Sequence, residues 1–479
     1  MKGIKPWWLI AMCVTISLTQ TTQAQETRSI TADQAVKTAL KQNPEIQAAQ
    51  LDKQTRLTGI AEEEAKFGRT LSLQMFHTDR REPSVSLLDE VPTSSTSNQQ
   101  VSLIVGQKLK SGGTLDVAFS QNRTANNAGF RTINPVYDAG MTVTFTQPLL
   151  KGRGKVNKVG MEIAEQNFKQ AEIDHRGYRR ALTADVRTAY WNLVLAREHL
   201  ETQQTLYDGA KRVLETIQTR VDMGAEAHNN ILQAELGVAR REESIIIAED
   251  QVRDTEDRLK TLMGINQIST TILPTESPEI TPFNADLQEG IKRATLNNTA
   301  YQSTTNRVDT GRLRVAQAKD QTKPEINLTL RTGLSGIGAN YTDDLRGLGG
   351  ADGRTWQGGF SLDLPLGSNA NRERHQQRLM ELESAELKQN YHHMQLIQSV
   401  REHHRQVITD RRRAKVAELA EMLAERSVKE EEERLALGLS TVRQVLDAQD
   451  DLAEAKTGRL RAVIDYQKAV IAWDHITGQ

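Results

Sequence analysis

Two hydrophobic periods alternate along this chain, and the alternation occurs twice. In four stretches, apolar residues fall on every second position. Leu71, Leu73 and Met75 alternate with Ser72 and Gln74, and Met141, Val143 and Phe145 alternate with Thr142, Thr144 and Thr146. Later, Ile326, Leu328 and Leu330 alternate with Asn327 and Thr329, and Phe360, Leu362 and Leu364 alternate with Ser361 and Asp363. This period predicts strands with one apolar and one polar face. A further hairpin of the same kind is Val101, Leu103 and Val105, the turn Ser111-Gly112-Gly113, then Leu115, Val117 and Phe119. Between Gly333 and Gly353, seven glycines mark a stretch that joins strands. Elsewhere the period lengthens. From Val156 to Asp222 there is no proline, and the apolar residues keep a 4-3 spacing: Leu182, Val186, Ala189, Leu193, Ala196, Leu200, then Tyr207, Ala210, Leu214, Ile217 and Val221. That predicts a helix of roughly 100 Å packed along a seam on partner helices. A second such stretch, from Asn371 to Leu437, carries His403, Asp410, Glu421 and Glu431 in the same register. It is expected to turn a wide polar face to water. A first helix over 31–67 is expected to break at Asn43-Pro44, with proline at a first helical position.

The chain is an internal repeat. Val36-Lys37 followed by Asn43 matches Ile291-Lys292 followed by Asn298 at an offset of 255. Gln147-Pro148-Leu149 faces Leu364-Pro365-Leu366 at an offset of 217. Thereafter the offset is 214, pairing Val186-Arg187 with Val400-Arg401, Gly224 with Gly438 and Gly264 with Gly478. The drop from 255 to 217 places about 38 extra residues between the strands of the first copy. The expected organisation is a signal peptide over 1–24, a first repeat over 25–264, a linker over 265–285 containing Pro274, Pro278 and Pro282, and a second repeat over 286–479.

Composition narrows the classes. The 479 residues include 61 basic and 62 acidic, which argues against nucleic acid as the main partner. Only 37% are hydrophobic, too few for a polytopic helical transporter. A β-barrel escapes that exclusion, because its strands are half polar. Residues 70–148 and 325–365 hold 8 aromatics in 120 residues, against 11 in the remaining 335 beyond residue 24. That enrichment suits a membrane-facing barrel. Lys2 and Lys5, the apolar run Trp7–Leu18 and Thr22-Gln23-Ala24 form the three parts of a secretory signal cut after Ala24. The one cysteine, Cys13, lies inside it, so neither disulfides nor thiolate metal sites are expected in the mature chain.

These features resemble the outer membrane efflux protein family, the TolC-like exit ducts. The opening helix Ile30–Ile46, the strand exit Thr146-Gln147-Pro148-Leu149-Leu150, and the tip motif Leu437-Gly438-Leu439-Ser440-Thr441-Val442 followed by Val445-Leu446-Asp447-Ala448-Gln449 carry the likeness. Met223-Gly224 with Ile231-Leu232-Gln233-Ala234-Glu235 is the first-copy version of that tip. The resemblance implies a membrane α+β fold. A homotrimer would build an antiparallel outer-membrane β-barrel of 12 strands, four per subunit, continued by a long periplasmic α-helical barrel. The hairpin over 101–119 would then stand outside or beside the barrel; if it joined the barrel instead, the trimer would have 18 strands rather than 12. It further implies a passive exit duct of a tripartite efflux or type I secretion system, opened at its periplasmic helix tips. Its partners would be a periplasmic adaptor, an inner-membrane pump of the RND, ABC or a similar class, and outer-membrane lipid. Cargo would be chosen by the pump.

By that resemblance, Gly224, Ala225, Gly438, Leu439 and Ser440 would dock the adaptor. The bland reading of the same glycines is helix C-caps. Gln444 and Asp447, with Asn230 and Gln233 in the first copy, would line the periplasmic gate. A three-fold ring of Asp447 would favour cations. Its bland reading is a solvated helix residue. Pro148 and Pro365 would mark the strand-to-helix turns, where pairing stops. Gly152-Arg153-Gly154-Lys155 lacks P-loop spacing and reads as such a turn. His392-His393 and His403-His404 read as solvated helix surface. No nucleophile–base pair or paired-carboxylate site stands out, so neither an enzyme nor a cofactor is expected. The competing class is a trimeric structural or adhesive surface protein with a coiled-coil stalk, which the doubled strand pairs disfavour.

Overall fold

The computed structural model describes residues 27–84, 91–127, 129, 131–224, 227–266, 270–350, 353–364, 366, 370–437 and 439–478. The expected signal peptide, with Cys13, and three of the singled-out residues, Ala225, Gly438 and Pro365, lie outside them.

The first copy runs β1 (Thr27–Ile30), α1 (Ala32–Gln42), α2 (Pro44–Ala65), β2 (Arg69–Pro83), β3 (Thr93–Lys108), β4 (Thr114–Asn126), β5 (Val136–Pro148), α3 (Val159–Asp222) and α4 (Asn229–Met263). The second runs β6 (Thr271–Pro274), α5 (Leu287–Asn297), α6 (Thr299–Gln321), β7 (Glu325–Gly338), α7 (Tyr341–Gly350), β8 (Gly353–Asp363), α8 (Ala370–Ala436) and α9 (Val442–Thr477). Lengths repeat closely: 11 and 11 residues for α1 and α5, 22 and 23 for α2 and α6, 64 and 67 for α3 and α8, 35 and 36 for α4 and α9. Local chemistry sets the boundaries. Thr31 caps α1 in a capping box with Gln34, and α2 begins on Pro44. Asp286 and Asn298 cap α5 and α6 through their side chains.

The chain forms two compact units, each drawing on both copies. One is built from residues up to Asn43, Asp185–Thr281 and Asp410–Lys468. Here β1 pairs in parallel with β6, Thr27 opposite Thr271 through Ile30 opposite Pro274, so part of the expected linker is a strand. The seam expected in α3 is its core: Val186, Leu193, Ala196, Ala210 and Ile217 are buried, and Tyr190 joins them. Ala414, Ala462 and Val463 form a second cluster, covered by Ile280 and Ala417.

The other unit contains Pro44–Ala184, Pro282–Thr409 and the chain from Ala469 on. Its centre is one antiparallel sheet of six strands in the order β2-β3-β4-β5-β7-β8. This corrects the expectation of four strands per chain with the 101–119 hairpin set apart. β3 pairs with β2 from Thr93 opposite Pro83 to Gln107 opposite Arg69, and β4 pairs with β5 from Thr114 opposite Thr146 to Thr124 opposite Val136. The hairpin satisfies the backbone groups of both neighbours, so it is integral to the sheet. Much of the glycine-rich connection is regular structure. Residues 333–338 continue β7, and Tyr341–Gly350 is helical. The Asn340 side chain starts that helix by accepting from the Thr342 and Asp343 N–H groups, at 3.0 and 3.1 Å.

Candidate functional site

The sheet presents two chemically distinct faces. Residues directly opposite in the register share a face. Leu73, Leu103, Phe119, Met141 and Leu334 therefore lie in one row, and Leu71, Val105, Val117, Val143 and Thr332 in the next. β8 adds Trp356 and Phe360 to this face. Many of these side chains are exposed in the single chain, Trp356 at 82% and Leu71 at 70%. The opposite face carries Ser72, Ser120, Thr142 and Thr144, then Asn327, Thr329, Gln357 and Ser361. An exposed apolar face spanning six strands needs a nonpolar neighbour, and the polar face suits water. No helix among the described residues is long and apolar enough to cross a membrane.

The ends of the sheet differ. At one end α2 and α6 lead into β2 and β7 and β5 and β8 lead out to α3 and α8, and the one strand-to-strand connection there is the short turn Leu109–Gly113. The connections at the other end are longer, spanning 84–92, 127–135 and 339–352. Short turns on one side and long loops on the other are a feature of outer-membrane barrels. α7 folds back from the last of these connections. Asp344 is fully buried and accepts a hydrogen bond from Gln121. Tyr341 meets Tyr137 edge-on at 4.4 Å.

The strand-to-helix corner follows Pro148, the last residue of β5, where Leu149 N–H still donates to Ile326 O at 2.8 Å. Gly152 and Gly154 take positive φ, +76° and +73°, which turns the chain into α3. The Gly152 N–H donates to Asp320 at 2.7 Å, so the Gly-Arg-Gly-Lys run is a structural turn.

The helix tips show a different chemistry. Met223 and Gly224 follow α3, with Gly224 at φ +72° and open space around it. Met223, Leu232, Leu437 and Leu439 are all exposed. Ser440 and Thr441 precede α9. Gln444 is the partner in a capping box: its amide oxygen accepts from Thr441 N–H at 2.9 Å, and its own N–H donates to Thr441 Oγ1 at 3.4 Å. Ser440 Oγ donates to the same amide oxygen at 3.1 Å. Asp447 is exposed and lies 3.9 Å from Arg443, one turn earlier. Asn230 and Gln233 lie in the first turns of α4, half-buried and exposed respectively. The two hairpins are tied to each other near the tips by an Arg241–Asp450 ion pair, and within the second hairpin Gln449 of α9 donates to Glu432 of α8 at 3.3 Å.

The polar residues on the α8 seam are engaged within the chain. Asp410 is buried and pairs with Arg413 at 3.0 Å. Glu421 pairs with Arg459, and Glu431 with Arg434 at 2.9 Å. Their carboxylates are therefore paired inside the chain. His404 departs from expectation. It is half-buried between Phe283 and Trp473, with a ring nitrogen 3.2 Å from Ala285 O.

Two positioning residues had no local motif to announce them. Tyr190 Oη donates to Ile30 O and accepts from the Thr275 and Glu276 N–H groups, each at 3.2 Å. Burial pushes its phenol above the ordinary tyrosine range. Buried Glu256 bridges Lys260 at 2.9 Å, Arg197 at 3.3 Å and the Ile272 N–H at 3.2 Å. The signal available for both was their place on seams of long helices. Among the described residues, no group of three or more His, Cys, Asp or Glu is placed to hold a metal ion.

Comparison with known proteins agrees with this geometry. A family profile described as outer membrane efflux protein matches residues 114–265 and 290–479. The outer membrane protein TolC of Vibrio cholerae is 22% identical over 335 residues, which cover 69% of this chain and 74% of that protein. The fold is similar to the CmeC outer membrane channel of Campylobacter jejuni, with a TM-score of 0.70 at 14% identity, covering 93% of this chain and 85% of that one. It is similar also to the outer membrane protein VceC of Vibrio cholerae, with a TM-score of 0.68 at 16% identity, covering 93% and 96%.

Proposed function

The chain belongs to the outer membrane efflux protein family, and from that premise we propose that it forms the exit duct of a tripartite efflux or type I secretion system, as a homotrimer. It is an outer-membrane efflux channel of the Gram-negative type with a periplasmic helical tunnel. The observation that carries the duct reading is the two-faced sheet with an open edge on β2 and another on β8. Backbone groups on such edges cannot face lipid, and pairing with further copies closes the wall. The apolar face then meets lipid and the polar face lines water.

The exposed Met223, Leu232, Leu437 and Leu439 at the tips support docking of a periplasmic adaptor, with an inner-membrane pump supplying the energy. Opening is a parting of the tips, resisted within each chain by the Arg241–Asp450 ion pair. Asp447 contributes a mild preference for cations at the gate. Arg443 lies one turn earlier and both groups are exposed, so their fields largely cancel and are screened by salt.

The test is planar-bilayer recording on the purified mature protein. Discrete conductance steps, raised by Arg241→Ala, are expected. A trimer without conductance would favour an adhesive stalk, and a water-soluble monomer would overturn both readings. Cysteines at Met223 and Leu439, used for crosslinking in cells, should capture an adaptor.

A further inference from the structure

The second copy enters and leaves the sheet with two strands, β7 and β8, whereas the first uses four. The additional pair is β3–β4, and three observations define its role. The first is its position. β2 and β5 are the counterparts of β7 and β8, yet they do not touch, because β3 and β4 lie between them. At the usual strand spacing β2 and β5 stand about 14 Å apart. Moving the hairpin out would tear the sheet open. The second is its alternation. Leu103 and Phe119 share a row with Leu73 and Met141 on the apolar face, while Ser102 and Ser120 share a row with Gln74 and Gly140 on the other. The third is its turn. Gly154 N–H donates to Ser111 O at 2.9 Å, and Ser111 Oγ donates to Gln147 at 3.1 Å, which fastens the turn to the strand-to-helix corner. A side chain at Gly112 would collide with Gly152 O and Asn157, so the turn is seated closely there.

We propose that β3 and β4 are membrane-spanning strands of the pore wall itself. Each copy then gives six strands, β8 of one copy pairs with β2 of the next, and three copies close a barrel of 18 strands (six each). The strand total rests on the homotrimeric-duct reading above; the membership of the hairpin rests on the sheet. Barrel diameter grows roughly in proportion to strand number, so this mouth is about half again as wide as one of four strands per subunit. Its cross-section is about twofold larger, in the range of porins that hold an aqueous channel. The outer-membrane mouth therefore admits bulkier hydrated cargo than a wall lacking the hairpin.

Cys13 is the sole cysteine and lies in the predicted signal, which makes single-cysteine labelling direct. Leu103→Cys and Ser120→Cys report on the hairpin, and Met141→Cys and Thr142→Cys on β5. Each full-length mature protein is labelled with an environment-sensitive fluorophore, reconstituted into phosphatidylcholine vesicles and titrated with a lipid-attached nitroxide and with aqueous iodide. The expected result is severalfold stronger nitroxide quenching at Leu103 and Met141, and the reverse preference at Ser120 and Thr142. Iodide quenching at both hairpin positions, with alternation kept on β5, would overturn the proposal and leave the duct intact. Loss of alternation on β5 as well would instead sink the duct reading. Val105→Cys and Asn122→Cys, on the same two faces, replace the first pair if either variant fails to fold.

Discussion

The long helices α3 and α8 are counterparts in the repeat, yet they fill the same seam differently. At the offset of 214, Ala196, Tyr207 and Ile217 of α3 correspond to Asp410, Glu421 and Glu431 of α8. Val186, Leu193 and Val400, Val407 are the apolar anchors both share. The acids of α8 survive burial because each has a cation at hand, and the nearest is written into the repeat. Arg413 pairs with Asp410 three residues earlier, and the residue of α3 at its position is His199, three beyond Ala196. One copy thus carries a charged pair where the other carries a small apolar residue and a half-buried imidazole. Equivalent backbone position fixes how deep a side chain sits; it does not fix its polarity, provided the partner changes with it.

Swapping the two solutions tests this directly. Ala196→Asp places a carboxylate in a buried site that lacks the arginine three residues on and should cost about 3–5 kcal/mol of stability, read by denaturant unfolding in detergent. Adding His199→Arg should recover a large part of that loss, a coupling that a double-mutant cycle measures. If the double variant were no better than the single, the paired-substitution account would be wrong. The glycines that end the helices sharpen the comparison at the next level of size. Gly264 and Gly478 both take positive φ, and an added Cβ at Gly264 would sit 2.7 Å from Gln42 O. Gly264→Ala should therefore cost about 2–4 kcal/mol, strain and overpacking together. Gly224 has the same φ but open surroundings, so Gly224→Ala should cost only about 1 kcal/mol. The reverse swap on α8, Asp410→Ala, should change stability by less than about 1 kcal/mol, because Arg413 is more than half exposed and stays hydrated. The smallest effect is on pH dependence. Burial, helped by Arg461, lowers the His199 pKa below its ordinary 6.5. The unfolded chain then binds this proton more readily, so the contribution of His199 is full above the ordinary value and is lost as pH falls through the folded one. His199→Gln should flatten the decline in unfolding free energy between about pH 7.5 and 5.5.

Much of this architecture was legible because it is periodic. The strand faces follow from alternation at Leu71–Met75 and Met141–Phe145. The α3 seam follows from 4-3 spacing, and the break between α1 and α2 from Asn43-Pro44. The departures involve partners distant in sequence. Alternation at Val101–Phe119 was visible, but its insertion between β2 and β5 depends on pairing with residues of both, and the family likeness pointed to four strands. Part of the predicted linker became β6 because β1 lies beside it, more than 240 residues earlier in the chain. α7 was hidden by its glycines, and its start depends on one asparagine, Asn340. At the tips, Gln444 was readable as a polar residue near a gate, yet its amide is spent on capping α9. That leaves Asp447 as the acidic candidate whose side chain remains exposed there.

The unfinished edges of β2 and β8 also bear on how the protein is made. A lone chain placed in a bilayer would leave two rows of backbone amides and carbonyls in hydrocarbon, a state far too costly to persist. On the trimeric-duct reading, insertion and association are then a single event rather than successive ones. The rate of appearance in the membrane should rise more steeply than linearly with the supply of chains. A single copy unable to present either edge should also strand its healthy neighbours, so an edge-defective allele would be dominant over the normal one.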